Sequence, residues 1–257
     1  MTTKNIRARK PKLPAGYILY QGPSMLDGAP IVVIVTALRK SRNSKTGNMA
    51  QTYIIRADEH PIIASRTGGD YSICGTCKHR GDGTGKKRSC YVTLAHGPSN
   101  VYRSFLRGVY VPLDATGIGR LKGKTIRFGI YGDPAAAPHY VWDFLSMLAG
   151  AWTGYTHQWR DLNAPTTGHI WSRLLMASVD TPEEMAEAHA MGWRTFRVGT
   201  MPVPDAPKSE VICPASEEMG KKTTCEMCRA CMGSSAKAKV SIRIAPHGTG
   251  KKWAKAA

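Results

Sequence analysis

The chain has 257 residues, 42% hydrophobic and 8% aromatic, enough apolar material for one large or two small folded domains and too much for a disordered polymer. Thirty-six Lys and Arg against eighteen Asp and Glu give a net charge of +18, which calls for a polyanionic partner, nucleic acid being the usual one. The longest apolar run, Ile31 to Leu38, is too short to span a bilayer, and the polar, basic start carries no secretory signal. The expectation is a cytoplasmic protein with no membrane partner and reduced thiols.

Residues 1–15 read as a flexible basic arm containing Arg7, Arg9, Lys10 and Lys12. Residues 16–70 read as a small β-rich element, with strands at Tyr17 to Gln21, Ile31 to Leu38 and Thr52 to Arg56, and turns at Asp27-Gly28 and Ser41 to Asn48. From Tyr71 to Ser99 the pattern is that of a loop, crowded with basic residues that include Lys86, Lys87 and Arg88. The second half alternates. Strands are expected at Thr125 to Tyr131, Tyr155 to Trp159, Leu174 to Val179, Trp193 to Val198, Glu210 to Cys213 and Val240 to Ala245. Asp133 followed by Pro134 reads as a helix start, with Val141, Phe144, Leu145 and Leu148 at helical spacing behind it. Thr181-Pro182-Glu183-Glu184 is a capping box opening a helix that Gly192 stops. This order predicts an α/β fold: a partial or complete βα barrel-like parallel sheet over residues 71–247, an antiparallel β element ahead of it, and a basic tail at 248–257.

All seven cysteines fall into two sets. Cys213, Cys225, Cys228 and Cys231 are spaced C-x11-C-x2-C-x2-C, which brings three thiolates to one side of a tight loop and a fourth from a strand end. Zinc and a [4Fe–4S] cluster both accept four thiolates, and the doubled x2 spacing resembles the ferredoxin run. Cys74, Cys77 and Cys90, spaced C-x2-C-x12-C, form a second metal set, with His79 or His96 as a fourth ligand for zinc. Buried or disulfide-bonded cysteines without metal are the bland alternative.

In βα sheets, functional groups collect beyond the C-terminal strand ends, which here makes Asp133, His157 and Asp180 candidate catalytic residues around Cys213. Helix capping by the two aspartates and a core role for His157 are the competing explanations. No hydrolase elbow, HExxH or Walker motif occurs in the chain.

The segments Gly-Asp-Tyr-Ser-Ile-Cys74-Gly-Thr-Cys77, Ser-Cys90-Tyr-Val, Tyr-Gly-Asp-Pro134, Gly-Tyr-Thr-His-Gln-Trp159 and Thr-Cys225-Glu-Met-Cys-Arg-Ala-Cys231 together resemble an uncharacterised family encoded by phages and plasmids. A three-cysteine loop ending in Cys-Tyr ahead of βα units is similar, more distantly, to radical-SAM proteins. That likeness implies a [4Fe–4S] cluster on Cys74, Cys77 and Cys90 with S-adenosylmethionine at its free iron, although the usual spacing there is C-x3-C-x2-C. The expectation is a metal-binding protein of a mobile element that works on nucleic acid in replication or DNA or RNA processing. An iron–sulfur enzyme and a zinc-stabilised DNA-binding regulator are the alternatives, and whether the chain is an enzyme stays open.

Overall fold

The computed structural model describes residues 13–39, 44–162, 168–199, 210–220, 222–237 and 239–246. The basic arm residues Arg7, Arg9, Lys10 and Lys12 and the tail at 248–257 lie outside them. In chain order the strands are β1 (Tyr17–Pro23), β2 (Pro30–Thr36), β3 (Ala50–Arg56), β4 (Val111–Pro112), β5 (Thr125–Tyr131), β6 (Ala151–Thr156), β7 (Met176–Val179), β8 (Thr195–Val198), β9 (Glu210–Ile212) and β10 (Ser241–Ile244). They form one sheet in the order β4-β1-β2-β3-β5-β6-β7-β8-β10-β9. The pairs β1/β2 and β2/β3 are antiparallel and every other pair is parallel. The predicted antiparallel element is therefore one flank of the same sheet that carries the βα units. Among the described residues the sheet is open, with β4 and β9 at its edges, so it is a partial barrel-like sheet and not a closed one.

Local chemistry explains the elements. β2 reads Pro-Ile-Val-Val-Ile-Val-Thr with Ile31 to Val35 all buried, the continuous apolar run of a strand covered on both faces. The helices are α1 (Pro61–Thr67), α2 (Tyr71–Cys74), α3 (Gly97–Leu106), α4 (Ala115–Leu121), α5 (His139–Leu148), α6 (Gly168–Leu174), α7 (Pro182–Ala190) and α8 (Cys225–Cys228). α7 follows its capping box: Thr181 accepts a hydrogen bond from the Glu184 amide, and Gly192 turns the chain at φ +80°. In α4 the same service comes from Asp114, which accepts from the Gly117 amide at 2.7 Å. Trp142, Trp152 and Trp159 are buried, each with its indole N–H donated to a backbone carbonyl, so the Trp152 and Trp159 pair belongs to the core.

Three elements depart from the sequence expectation. The helix expected to start at Asp133-Pro134 is a 3-10 turn at Pro134–Ala136, and α5 starts only at His139 after Pro138. The strand expected at Tyr155 to Trp159 runs from Ala151 to Thr156 instead, because Gly154 and the aromatic run fit a buried strand and His157 begins the following turn. The segment expected as loop from Tyr71 to Ser99 contains α2, a 3-10 turn at Lys78–Arg80 and the start of α3.

Candidate metal centre

The parallel strands all end at one edge of the sheet, and the residues immediately beyond them are the predicted ones: Asp133 after β5, His157 after β6, Asp180 after β7 and Cys213 after β9. Above this edge lies a cavity of about 380 Å³. All seven cysteines line it, the upstream set on one side and the C-terminal set on the other, together with Asp133 and His157. The two sets expected as separate sites thus share one cavity.

The upstream wall is held by Gln158. Its Oε1 accepts from Thr76 N at 3.3 Å and Thr76 Oγ1 at 3.0 Å, while Nε2 donates to the Cys74 carbonyl at 3.2 Å. Gly75, between the two cysteines of this C-x2-C turn, has φ +54°, and a Cβ there would stand 2.5 Å from the Gln158 amide. Only glycine permits that contact. Asp133 fixes the next turn: Oδ1 accepts from Ala135 N at 3.0 Å and Oδ2 from His157 N at 2.7 Å. The His157 ring places Nε2 3.6 Å from Cys77 Sγ. His79 Nε2 lies 2.8 Å from Asp180 Oδ1, and its Nδ1 lies 2.6 Å from Ser89 Oγ. His96 precedes α3, is exposed and does not line the cavity.

The opposite wall is tied to the sheet by backbone bonds. Cys213 N donates to Arg243 O at 2.8 Å, Gly154 N to Cys231 O at 3.2 Å, and Cys225 N to Lys45 O at 2.9 Å. Thr224 caps α8 by accepting from Met227 N, and Arg229 ends it in the left-handed region at φ +55°. Arg194, buried, donates to the carbonyls of Ala230, Gly233 and Val240, and so clamps the chain on both sides of the last thiol.

Between the walls stand cations. Lys45 and Arg127 both line the cavity. The Arg127 guanidinium donates to Tyr91 Oη at 2.5 Å, and it lies over the Tyr91 and Tyr155 rings at 5.8 and 5.9 Å. Its Nε is buried without a hydrogen-bond partner among the described residues. Neither cation came out of the sequence reading, because nothing local marks an arginine in mid-strand β5 as facing thiols 100 residues away.

Burial sets the titration of the site. It pushes the Cys231 thiol up to about 12, against a hydrogen bond from Tyr155 that favours the thiolate. It raises Cys74, Cys77, Cys213 and Cys225 as well, and neighbouring thiolates add to the shift within each set. Burial, with the His79 charge behind it, lowers His157 to about 4, and burial lifts Asp133 to about 6. For Asp180 burial acts upward too, but the His79 hydrogen bond and charge outweigh it and hold the carboxyl low.

Among the described residues, one group of three or more His, Cys, Asp and Glu has all its ligand atoms within 4.8 Å of one another: His79, His157 and Asp180. No three cysteine sulfurs meet that limit. A tetrahedral zinc with bonds of about 2.3 Å needs sulfur–sulfur edges of about 3.8 Å, whereas the four ligands of a cubane stand about 6 to 7 Å apart.

Of the predicted nucleic-acid contacts, Lys86 and Lys87 are exposed. Arg88 instead donates to the carbonyls of Cys90 and Val92 at 3.4 and 2.8 Å and braces the turn that carries the third upstream thiol. No helix among the described residues is long and apolar enough to cross a membrane. Compared with protein-family models, curated proteins and solved structures, the chain has no match.

Proposed function

We propose that this protein is an iron–sulfur protein acting on or beside nucleic acid, with Cys213, Cys225, Cys228 and Cys231 as ligands of a [4Fe–4S] cluster at the wall of a reaction cavity. The observation that carries this reading is the convergence of all seven thiols on one cavity at the C-terminal edge of the parallel sheet. A purely structural metal has no need of a cavity beside it. The soft, all-sulfur donor set and the doubled C-x2-C spacing of Cys225, Cys228 and Cys231 fit iron–sulfur ligation. Lys45 and Arg127 supply positive charge on the cavity wall next to a centre that four thiolates make anionic. When bound, the cluster supplies one-electron chemistry to whatever occupies the cavity.

Nucleic acid is the partner class supported by the +18 charge and by Lys86 and Lys87, which project from the same loop that delivers Cys90. The deciding experiment is iron, sulfide and zinc analysis of anaerobically purified protein, with its absorption spectrum. A brown sample holding about four iron and four sulfide per chain supports the reading. A colourless sample with stoichiometric zinc sinks it, and leaves a zinc-stabilised nucleic-acid-binding protein. The S-adenosylmethionine alternative asks Cys74, Cys77 and Cys90 to hold a cluster by themselves. We do not adopt it, because the His157 imidazole occupies the space 3.6 Å from Cys77 Sγ. Release of 5′-deoxyadenosine from S-adenosylmethionine and a reductant would reinstate it.

A further inference from the structure

We propose that His79, His157 and Asp180, with the Cys77 thiol beside them, bind a single divalent cation on the cavity wall opposite the four-thiolate set. The three ligand atoms lie within 4.8 Å of one another, and they arrive from three separate parts of the chain: the turn after Cys77, the end of β6 and the end of β7. Two imidazoles and one carboxylate on one face of an ion are a recurrent donor set for ferrous iron and zinc. Cys77 Sγ stands 3.6 Å from His157 Nε2, matching the edge of about 3.6 Å between sulfur and nitrogen on one tetrahedral zinc. Two ligands of different irons in a cubane stand far wider apart.

The surroundings fit a metal. With His79 Nε2 turned to the ion, Nδ1–H donates to Ser89 Oγ at 2.6 Å, the outer contact that fixes a ligating imidazole. Lys78 pairs with Asp180 through Oδ2 at 3.2 Å, leaving Oδ1 facing His79. His79 and Asp180 side chains are 15% and 10% exposed, while Lys78 is 43% exposed and free to yield. Asp180 supplies one negative charge to a dication, and the nearest source of a second is Cys77 Sγ, which stands outside the 4.8 Å group but 3.6 Å from His157 Nε2. Because His79 and His157 line the cavity, a ligand there reaches the ion, which places a Lewis acid opposite the cluster.

The test is a titration of the anaerobically purified full-length protein with zinc and with cobalt(II), counting metal retained beyond the four-thiolate content. The expected result is one further equivalent per chain, with a thiolate-to-cobalt charge-transfer band. Asp180→Asn and His157→Gln should each weaken it at least tenfold, Cys228→Ser and Cys74→Ser should leave it, and retention of the four-thiolate metal reports that the first two variants are folded. Ser89→Ala, which removes no ligand, should weaken it about tenfold and keeps the test open if the ligand variants misfold. The proposal is overturned by the absence of a further equivalent, by binding that Asp180→Asn, His157→Gln and Ser89→Ala leave within about twofold, or by loss in Cys74→Ser as complete as in Asp180→Asn. The last outcome would assign the metal to the three cysteines.

Discussion

The amide of Cys225 donates to the carbonyl of Lys45 at 2.9 Å, joining the loop between β2 and β3 to the thiol-bearing turn 180 residues later. Two more bonds make this a docked pair of loops: Glu226 N donates to Thr46 O at 3.2 Å, and Asn48 N donates to Glu226 Oε2 at 2.8 Å. The same loop puts Lys45 on the cavity wall, so the antiparallel flank of the sheet takes part in the site rather than standing apart from it.

Glu226→Ala removes the carboxylate that receives Asn48 N, and a hydrogen bond to a charged acceptor contributes about 1.5 to 3 kcal/mol. The expected outcome is a urea midpoint lowered by an amount in the lower part of that range and faster loss of metal to a chelator. Gly47→Ala should do the same by another route, since Gly47 has φ +71° and its added Cβ would meet Glu226 Oε2 at 2.6 Å. Unchanged chelator kinetics in both variants would mean that the loop pair does not support the thiol site.

Cys228→Ser should abolish the four-thiolate metal and lower thermal stability, because binding energy at such a centre is partly folding energy. The acid dependence follows from the same thiols. With Cys231 up to about 12 in the metal-free site, neutral thiols must lose protons to bind metal, so uptake near neutrality releases protons. Metal content should then fall steeply as pH drops, which metal analysis after gel filtration at stepped pH measures. Uptake without proton release in a weakly buffered solution would contradict thiolate ligation.

Arg127→Met removes a cation from the cavity wall that the C-terminal thiols also line, while keeping most of the side-chain volume. The expected result is a four-thiolate centre about tenfold weaker against a competing chelator, or a lower reduction potential if iron is bound, with Arg127→Lys intermediate. Both variants also lose the donor to Tyr91 Oη, so Tyr91→Phe serves as the control that removes the hydrogen bond and keeps the charge. An effect in Tyr91→Phe as large as in Arg127→Met would assign the role to the hydrogen bond.

What the sequence made legible was whatever its local chemistry encodes. The Thr181 capping box, the Asp133-Pro134 turn and the buried run of β2 mark their elements within a few residues, and the strand-end rule placed Asp133, His157, Asp180 and Cys213 at one edge. Cysteine spacing gave the two sets but not their meeting, which depends on backbone bonds from Gly154 in β6 to Cys231 and from Cys225 to Lys45 in the β2–β3 loop. The partners that build the walls were invisible for the same reason: Lys45 and Cys225, Gln158 and Thr76, and Arg127 and Tyr91 are all paired across long stretches of chain. His79 was noted as a ligand for the cysteines, while its pairing with Asp180 needed the fold.

Binding to nucleic acid should be electrostatic and insensitive to sequence. Each phosphate neutralised on duplex DNA contributes about −0.9 to the slope of log affinity against log salt. Lys86→Gln with Lys87→Gln should therefore flatten that slope by up to about 1.8 if both contact phosphates, and deletion of residues 1–12 should weaken binding to all sequences alike. Arg88→Gln is expected to act differently, by loosening the Cys90 turn through its lost bonds to Cys90 and Val92. No binding tighter than about 10⁻⁴ M at low salt, to single- or double-stranded DNA or RNA, would refute the partner assignment.

Asp133 gives a stability prediction whose sign is fixed by its burial. Its folded value of about 6 lies above the ordinary 3.8, so folding disfavours the charged form. The penalty is absent below the unfolded value, grows as pH rises through the interval, and is complete above about 6. At 1.36 kcal/mol per unit its full size is about 3 kcal/mol, a net figure in which the hydrogen bonds that Oδ1 and Oδ2 accept already offset part of the burial cost. Asp180 has the opposite sign, with a depressed value whose stabilisation is lost as pH falls, so the wild-type curve alone mixes the two. The difference between wild type and Asp133→Asn isolates the first. Chemical denaturation at steps from pH 4 to 7 should show wild type losing stability relative to the variant as pH rises, and a flat or rising difference would mean that Asp133 is not the buried, reluctant acid the site implies.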